Sequence, residues 1–207
     1  LILDLRGNGG GYLRTAIQLA DEFIGDKKLI VYTEGAKKPK QEYYTTSKGG
    51  FEQGKLALLI DEGSASASEI VSGAIQDYDR GLIIGRRSFG KGLVQKPFTL
   101  PDGSAIRLTV ARYHTPSGRC IQRPYDEGKE AYYKEFSRRF DNGEYMNADS
   151  IVFPDSLKFK TLNSQRTVYG GGGIMPDIFI PIDTTQSSIY FSKVIRSGIL
   201  NEFVLTY

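Results

Sequence analysis

The sequence has few of the residues that build metal sites and disulfides. Its 207 residues include one cysteine, Cys120, and one histidine, His114. A lone cysteine cannot form an internal disulfide, and one histidine, one cysteine and scattered carboxylates do not form a metal-ligand cluster. We therefore expect no metal site. We interpret His114 as a packing or surface residue rather than a base, and Cys120 as no nucleophile.

The sequence also lacks long apolar runs and a concentration of charge of one sign. No apolar run reaches the roughly 20 residues that span a bilayer, so we expect no stable membrane insertion. The formal net charge is +3, and basic residues are scattered, which disfavours nucleic-acid binding. With 40% hydrophobic residues the chain can bury a substantial core, and we expect a single domain over residues 1–207.

One serine lies where a buried strand is predicted to turn into a helix. The apolar run 56–60 predicts a short strand, which the turn-forming residues 61–64 end. Apolar residues then recur at helical spacing and predict an amphipathic helix. Ser66 would lie in the first helical turn, where unpaired N–H groups and the helix dipole favour negative charge. The Ala67 N–H could then donate to an oxyanion formed at Ser66.

The same serine has a purely structural interpretation. Ser66 and Glu69 form the S-x-x-E pattern of a capping box, and most such boxes only start helices. On this segment alone we favour the structural role. The choice depends on whether the chain also supplies a base.

A lysine in a second glycine-rich segment can supply that base. Lys91 follows the short apolar strand predicted at 81–85 and opens the strand-like stretch 93–100. Alternate residues of an extended chain share a face, so Lys91 and Gln95 can lie side by side, with Gln95 orienting the amine. A lysine acts as a base only when neutral, a state that burial or a helix N-terminus favours. Taken alone, Lys91 is equally well explained as an anion binder or a solvated loop residue.

Residues 85–92 also suggest a nucleotide-binding site. They fit the P-loop pattern G-x-x-x-x-G-K, but Gly92 occupies the position where serine or threonine would hold Mg²⁺. A P-loop further requires a helix after Lys91, whereas residues 93–100 contain a proline and favour a strand. We rank nucleotide binding below acyl transfer.

The opening residues predict a glycine turn between a strand at 1–5 and a helix within 13–24. Glycines in the turn at 6–11 could expose backbone N–H groups, although an ordinary strand-to-helix turn needs no ligand. A strict dinucleotide-binding fingerprint is excluded, because Tyr12 and Arg14 occupy positions that require glycine.

Five motifs carry a resemblance to a known family. They are Asp4-Leu5-Arg6-Gly7-Asn8-Gly9-Gly10-Gly11, Gly63-Ser64-Ala65-Ser66-Ala67-Ser68-Glu69, Ser88-Phe89-Gly90-Lys91-Gly92-Leu93-Val94-Gln95, Thr115-Pro116-Ser117-Gly118-Arg119 and Gly172-Gly173-Ile174-Met175-Pro176-Asp177. In order and spacing they resemble the catalytic core of the carboxy-terminal processing proteases, the tail-specific serine peptidases of family S41. The resemblance implies Ser66 as nucleophile, Lys91 as general base and Gln95 as the residue that orients Lys91.

The resemblance also implies an oxyanion hole. Its donors would be the N–H groups of Ala67 and Gly10, with Gly11 as the alternative to Gly10, and Glu69 would support the site. Strands and helices alternate early and a hairpin pairs 93–100 with 105–113, which favours an α/β fold. The family narrows this prediction to a crotonase/ClpP-like superhelix of stacked β-β-α units.

The predicted function is that of a serine endopeptidase that cleaves proteins or peptides near apolar carboxyl termini and needs no cofactor. The resemblance implies a bacterial periplasmic or cell-envelope enzyme, and it leaves an oligomer possible. The first alternative is a non-catalytic peptide-binding or interaction module on the same fold. The second and lower-ranked alternative is a nucleotide-binding domain that uses residues 85–92.

Other parts of the chain match the family less well. Such proteases usually carry an amino-terminal portion and a PDZ-like domain, so we expect this chain to be a fragment. Residues 126–165 are charged and rich in tyrosine, and we predict a family-variable surface insertion with a helix near 131–140. The tail 187–207 predicts a closing amphipathic helix. Its apolar stripe comprises Ile189, Tyr190, Val194, Ile195, Ile199 and Phe203.

Overall fold

The computed structural model describes residues 1–206 apart from 26, 47–48, 186–187, 189, 191–193, 195–196 and 198. The described strands are β1 (Ile2–Asp4), β2 (Leu29–Gly35), β3 (Lys38–Tyr44), β4 (Ala57–Ile60), β5 (Leu82–Gly85), β6 (Leu93–Thr99), β7 (Ala105–His114), β8 (Lys158–Lys160), β9 (Thr167–Tyr169) and β10 (Ile178–Phe179). The described α-helices are α1 (Leu13–Asp21), α2 (Ala67–Asp77), α3 (Lys129–Asp141) and α4 (Ile199–Thr206).

A parallel sheet brings together the segments that the sequence singles out. Its strand order is β1-β4-β5-β10, and all three pairings are parallel. Short apolar runs suit such strands because both faces of the sheet are covered, and Leu58, Ile60 and Ile83 are fully buried. The carboxyl ends of parallel strands lie at one edge, so the segments that follow β1, β4 and β5 meet there.

The second sheet is antiparallel, with the order β3-β2-β7-β6. Its β6–β7 hairpin confirms the predicted pairing of 93–100 with 105–113. The register shifts between Val94 and Gln95, after which Gln95 pairs with Thr109. A separate two-stranded sheet joins β8 to β9.

The helix after Ser66 is buried on every side rather than amphipathic. All of residues 68–77 are buried, including the polar ones. Gln76 donates from Nε2 to the Met175 carbonyl oxygen at 2.8 Å. Asp77 forms a fully buried ion pair with Arg119, with 2.7 Å between Oδ1 and Nη2. The periodicity located α2 correctly but not its polar face, because other segments supply internal partners for that face.

The charged segment near residues 131–140 forms α3, as predicted, but it is more than a solvated surface. Arg139 is only 3% exposed, and its Nε donates to Glu144 Oε1 at 2.7 Å. Its two Nη atoms donate to the carbonyl oxygens of Arg87 and Ser88, at 2.7 and 3.0 Å. The surface interpretation is therefore wrong for Arg139 and Glu144, whose charges are paired inside the protein.

The tail forms α4 over its last residues, where the side chains of Ile199 and Val204 are exposed. Positions Ile189 and Ile195 of the predicted stripe lie outside the described residues. Among the described helices, none is both long enough and apolar enough to cross a membrane.

Candidate active site

Ser66 caps α2 in a strained backbone conformation, with φ 56° and ψ −112°. A positive φ at a residue other than glycine costs about 1–3 kcal/mol and is concentrated at functional sites. The turn from β4 is held in place by Ser64, whose hydroxyl donates to the Leu5 carbonyl oxygen at 2.7 Å. A strained strand-to-helix turn that presents a serine is the geometry of a nucleophile elbow.

Gly10 brings the glycine turn directly against Ser66. Gly10 has φ +88°, and an added Cβ would lie 2.4 Å from the Ala65 oxygen, 2.6 Å from the Ala67 nitrogen and 2.9 Å from Ser66 Cβ. Only glycine allows this approach. The Ala67 N–H begins α2 and therefore has no acceptor within the helix. One predicted oxyanion donor thus lies beside the glycine turn.

Asn8 organises that turn, a role for which the sequence carries no separate signal. Its carbonyl oxygen accepts from the Ala65 N–H at 3.0 Å. Its Oδ1 accepts from the Gly10 N–H at 2.9 Å and from the Ser68 hydroxyl at 3.0 Å. In the described part of the chain, nothing accepts from the Gly11 N–H. The Gly10 donor is therefore engaged in this structure, whereas the Gly11 donor is available.

Glu69 joins the segment of Ser66 to the segment of Lys91. Its Oε2 accepts from the backbone N–H of both Ser66 and Lys91, each at 2.8 Å. Its Oε1 accepts from the Gly90 N–H at 2.7 Å and from the Ser88 hydroxyl at 2.5 Å. The Ser66 and Lys91 nitrogens therefore lie within two hydrogen-bond lengths of each other. A single carboxylate, with all four lone-pair positions occupied, links the two segments.

The environment of Glu69 acts on its ionisation in two opposite ways. Complete burial raises the pKa of Glu69, and the donors from Ser88, Lys91, Gly90 and Ser66 lower it, with burial the larger effect. The bond from the Ser66 N–H is also one half of the predicted capping box. The structural and the supporting roles of Glu69 are therefore the same set of contacts.

The loop before Lys91 is held in place by the segment at 172–177. The Ser88 N–H donates to the Ile174 carbonyl oxygen at 3.1 Å, and the Ile174 N–H donates back to Ser88 Oγ at 2.6 Å. An added Cβ on Gly173 would lie 2.7 Å from the Ser88 carbonyl oxygen. The motif at 172–177 thus supports the loop, with Arg139 holding its carbonyl oxygens from α3.

Lys91, Leu93 and Gln95 line one cavity of about 530 Å³, and Lys91 lies just before β6, which begins at Leu93. Phe89 and tyrosines of the 125–133 segment form much of the rest of its lining. Among the residues that the structure describes, none forms a hydrogen bond or ion pair with Lys91 Nζ. No hydrogen bond joins it to Gln95, so orientation of Lys91 by Gln95 stays a prediction.

A second cavity of about 250 Å³ lies beside the predicted oxyanion donors. Gly10, Gly11 and Ala67 form part of its wall, and Leu5 and Val71 contribute apolar surface. Ala67 of this wall directly follows Ser66 in the chain, so the cavity adjoins the segment of the predicted nucleophile. A substrate side chain could enter here while its carbonyl oxygen faces the donors.

The structure does not support a phosphate-binding loop at residues 85–92. Lys91 is followed by strand β6 rather than by a helix. The N–H groups of Gly90 and Lys91, which a phosphate would need, donate to Glu69 instead. These donors of the loop are already occupied by the Glu69 carboxyl group.

His114 and Cys120 lie on the antiparallel sheet and its adjoining turn. The His114 ring stacks on Tyr32 with centroids 4.7 Å apart, and its Nδ1 lies 3.3 Å from the Gly118 carbonyl oxygen. These contacts agree with a packing role. Burial raises the pKa of the Cys120 thiol, which opposes thiolate formation. Within the described ranges, no three His, Cys, Asp or Glu side chains are grouped to hold a metal ion.

Comparisons with known proteins show which family this chain resembles. The model of peptidase family S41 matches residues 1–128. A carboxy-terminal-processing protease of Bartonella bacilliformis is 48% identical over 122 residues, covering 58% of this chain and 28% of the relative. A carboxyl-terminal-processing protease of Synechocystis sp. is 42% identical over 122 residues, covering 59% and 28%. The chain thus spans little more than a quarter of these relatives.

Among solved structures, a photosystem II D1 C-terminal processing protease is similar with a TM-score of 0.60 and 28% identity. The match covers 87% of this chain and 34% of that protein. This likeness confirms the predicted α/β fold.

Proposed function

The chain belongs to peptidase family S41, and from this premise we propose that it is the catalytic core of a serine endopeptidase. Ser66 is the proposed nucleophile and Lys91 the proposed general base. The contact that carries the proposal is Glu69 Oε2, which accepts from the backbone N–H of both residues. This contact holds the backbones of the two residues close together, which supports a role as a catalytic pair.

In the proposed reaction, Ser66 Oγ bonds to the carbonyl carbon of the scissile peptide while its proton passes to the neutral Lys91 amine. The resulting oxyanion accepts from the Ala67 N–H and from the Gly10 N–H, or from the Gly11 N–H in its place. The C–N bond then breaks, and Lys91 returns the proton to the leaving amine. A water molecule then attacks the acyl carbon while Lys91 takes its proton. The ester C–O bond breaks, Lys91 returns the proton to Ser66 Oγ, and the new carboxyl group is released.

The proposed substrates are proteins with apolar carboxyl termini. The cavity beside the oxyanion donors supports this proposal, because Leu5, Ala16 and Val71 give it apolar walls. The names of the similar proteins, which describe carboxy-terminal processing, support cleavage near a chain end. We propose a periplasmic or cell-envelope location, which the bacterial relatives support.

We also propose that residues 126–165 are a family-variable insertion in a core that spans 1–207. The family match ends at residue 128, just before α3 begins at Lys129, which supports this division.

The test is cleavage of an unfolded protein with an apolar carboxyl terminus by the protein that carries this chain. Ser66→Ala and Lys91→Ala should each lower kcat by about 10³-fold or more, because each removes a member of the catalytic pair. Lys96→Ala is the matched control, since Lys96 is an exposed lysine of β6, and it should cleave at the parent rate. Mass spectrometry of the products locates the cut.

Two results would contradict the proposal. One is cleavage at the parent rate by both Ser66→Ala and Lys91→Ala, which would show that the pair does not operate. The other is a parent that binds such tails without cleaving them, which would favour the interaction module.

A further inference from the structure

The position of Lys91 indicates which fragment of the substrate would occupy the cavity that contains it. In the proposed function, Lys91 delivers its proton to the leaving amine, so the leaving fragment must lie on the Lys91 side of Ser66. The proposed oxyanion donors, Ala67 with Gly10 or Gly11, line the other cavity. The acyl fragment is therefore expected in the smaller cavity and the leaving fragment in the larger one.

The far wall of the larger cavity is rigidly attached to the loop that carries the base. The buried guanidinium of Arg123 lies between two rings, 4.2 Å from the Phe89 centroid and 3.9 Å from the Tyr132 centroid. Arg123 Nη1 is 2.8 Å from a carboxylate oxygen of Glu135 on α3. The Arg123 backbone N–H donates to the Gly90 carbonyl oxygen at 3.0 Å. These contacts fix the wall before any substrate binds.

The same wall presents aromatic surface to the cavity. Tyr132 contacts Tyr125 and Tyr133 edge to face, with centroids 6.2 and 5.8 Å apart. The Tyr133 side chain remains 65% exposed despite this packing. Leu93 of β6 also lines the cavity. The part of the cavity between Leu93 and these tyrosines, called the slot below, is lined by aromatic rings and an aliphatic side chain. Such a lining suits an apolar or aromatic side chain of a substrate.

We propose that this slot is the subsite for the first residue of the leaving fragment and that it selects an apolar or aromatic side chain there. The proposal rests on the proposed function and extends it with a substrate preference. An acidic residue in the slot is disfavoured, because a carboxylate beside Lys91 would stabilise the charged lysine and oppose its use as a base. The selecting wall comes from Tyr125 and α3, largely beyond the segment that the family model matches.

The test uses peptides that are identical before the scissile bond and carry Phe, Ala or Asp directly after it. The parent should cleave the Phe peptide about 5- to 10-fold better in kcat/KM than the Ala peptide, and the Asp peptide worst. Tyr133→Ala should bring the Phe-to-Ala ratio close to one. Phe140→Ala is the matched control, because Phe140 is a 53% exposed aromatic of α3 outside the cavity lining. It should keep the parent ratio.

A peptide methyl ester separates this proposal from the proposed function. Its leaving group, methanol, has no side chain, so parent and Tyr133→Ala should hydrolyse it equally, and Ser66→Ala should not hydrolyse it. If the parent cleaves peptides without regard to the residue after the bond, or if Tyr133→Ala keeps the preference, the subsite is refuted and the protease remains. If Ser66→Ala cleaves as well as the parent, both proposals fail.

Discussion

Two glycine-containing loops approach Ser66, the proposed nucleophile, and they are built in opposite ways. In the turn at 6–11, a Cβ added at Gly7, Gly9 or Gly11 would meet no atom within 4 Å. In the loop at 85–92, an added Cβ would lie 2.0 Å from the Ile60 oxygen at Gly85, 3.1 Å from the Gly173 nitrogen at Gly90 and 2.7 Å from the Gln122 nitrogen at Gly92. The first loop is open, and the second is clamped by its neighbours.

The difference corresponds to the roles proposed for the two loops. A loop that offers N–H groups to a substrate must leave space in front of them, and the first loop touches the nucleophile closely only at Gly10. A loop that carries a base must hold it at one distance from the nucleophile, since small displacements lower the rate steeply. The second loop accordingly donates to Glu69 and accepts from Arg139.

The largest effect should come from Glu69→Gln, which disrupts the hydrogen bonds that hold the loop at 85–92 against α2. The amide replaces one acceptor oxygen by an NH₂ group, which then faces two donors of the loop or helix. We expect a loss of about 3 kcal/mol or more in the free energy of unfolding, together with the activity. Urea unfolding measures the loss in the free energy of unfolding. Glu62→Gln is the control, because its partly exposed partner is Arg86, and a loss as large in that variant would contradict the special role of Glu69.

The same variant, Glu69→Gln, tests how the ionisation of Glu69 affects stability. Burial raises the pKa of Glu69 above that of the unfolded chain, where a glutamate titrates near 4.3. A raised pKa means that protonation favours the folded state, so this contribution is complete below the unfolded pKa and is lost as the pH rises through the folded pKa. The stability difference between parent and Glu69→Gln should therefore shrink from acid towards neutral pH. A difference that grows with pH would show the opposite shift.

Two variants of the turn at 6–11, Gly10→Ala and Gly11→Ala, test whether the close approach to Ser66 occurs only at Gly10. Both variants keep every N–H group, and they differ in the space that a methyl group needs and in backbone strain, because Gly10 has φ +88°. At Gly10 the methyl group would collide with the Ala65 oxygen and the Ala67 nitrogen, and we expect kcat to fall on the order of 10²-fold. At Gly11 it meets nothing, and kcat should stay within about 2-fold. Equal kcat values for the two variants would argue against a close approach at Gly10.

The smallest effect should come from Asn8, which shapes the open loop from within. Asn8→Ala removes the Oδ1 acceptor of the Gly10 N–H and the Ser68 hydroxyl, and we expect about 1 kcal/mol of lost stability with a few-fold change in kcat. Asn8→Asp keeps an acceptor at that position and should remain near the parent. Thermal unfolding and peptide cleavage measure both. If Asp were as harmful as Ala, the acceptor would not be the reason that asparagine matters.

Much of the fold was predictable because its signals are local. The runs at 56–60 and 81–85 are apolar without alternation, as strands covered on both faces must be. The hairpin of β6 and β7 follows from two strand-like segments around a short turn. Leu93 and Gln95 line the same cavity because alternate residues of a strand share a face. Each of these predictions needed only the spacing of residues close in sequence.

The errors arose where a polar residue finds its partner far along the chain. Periodicity assigned the polar side of α2 to solvent, but Gln76 and Asp77 bond to Met175 and Arg119 inside the protein. Composition assigned α3 to the surface, but Arg139 is buried against Arg87 and Ser88. A sequence shows that such residues are polar without showing whether water or protein satisfies them.

The sequence by itself determined which side chains are candidates for the chemistry, because Ser66, Lys91 and the glycines stand in local patterns that define turns and strand faces. Only the folded structure shows that one Glu69 oxygen accepts from both Ser66 and Lys91, and that α3 lines the cavity that contains Lys91. The physical reason is the range of the forces. Dihedral preferences and periodicity act over a few residues, whereas satisfying a buried carboxylate requires donors from whichever segments the folded sheet brings to it.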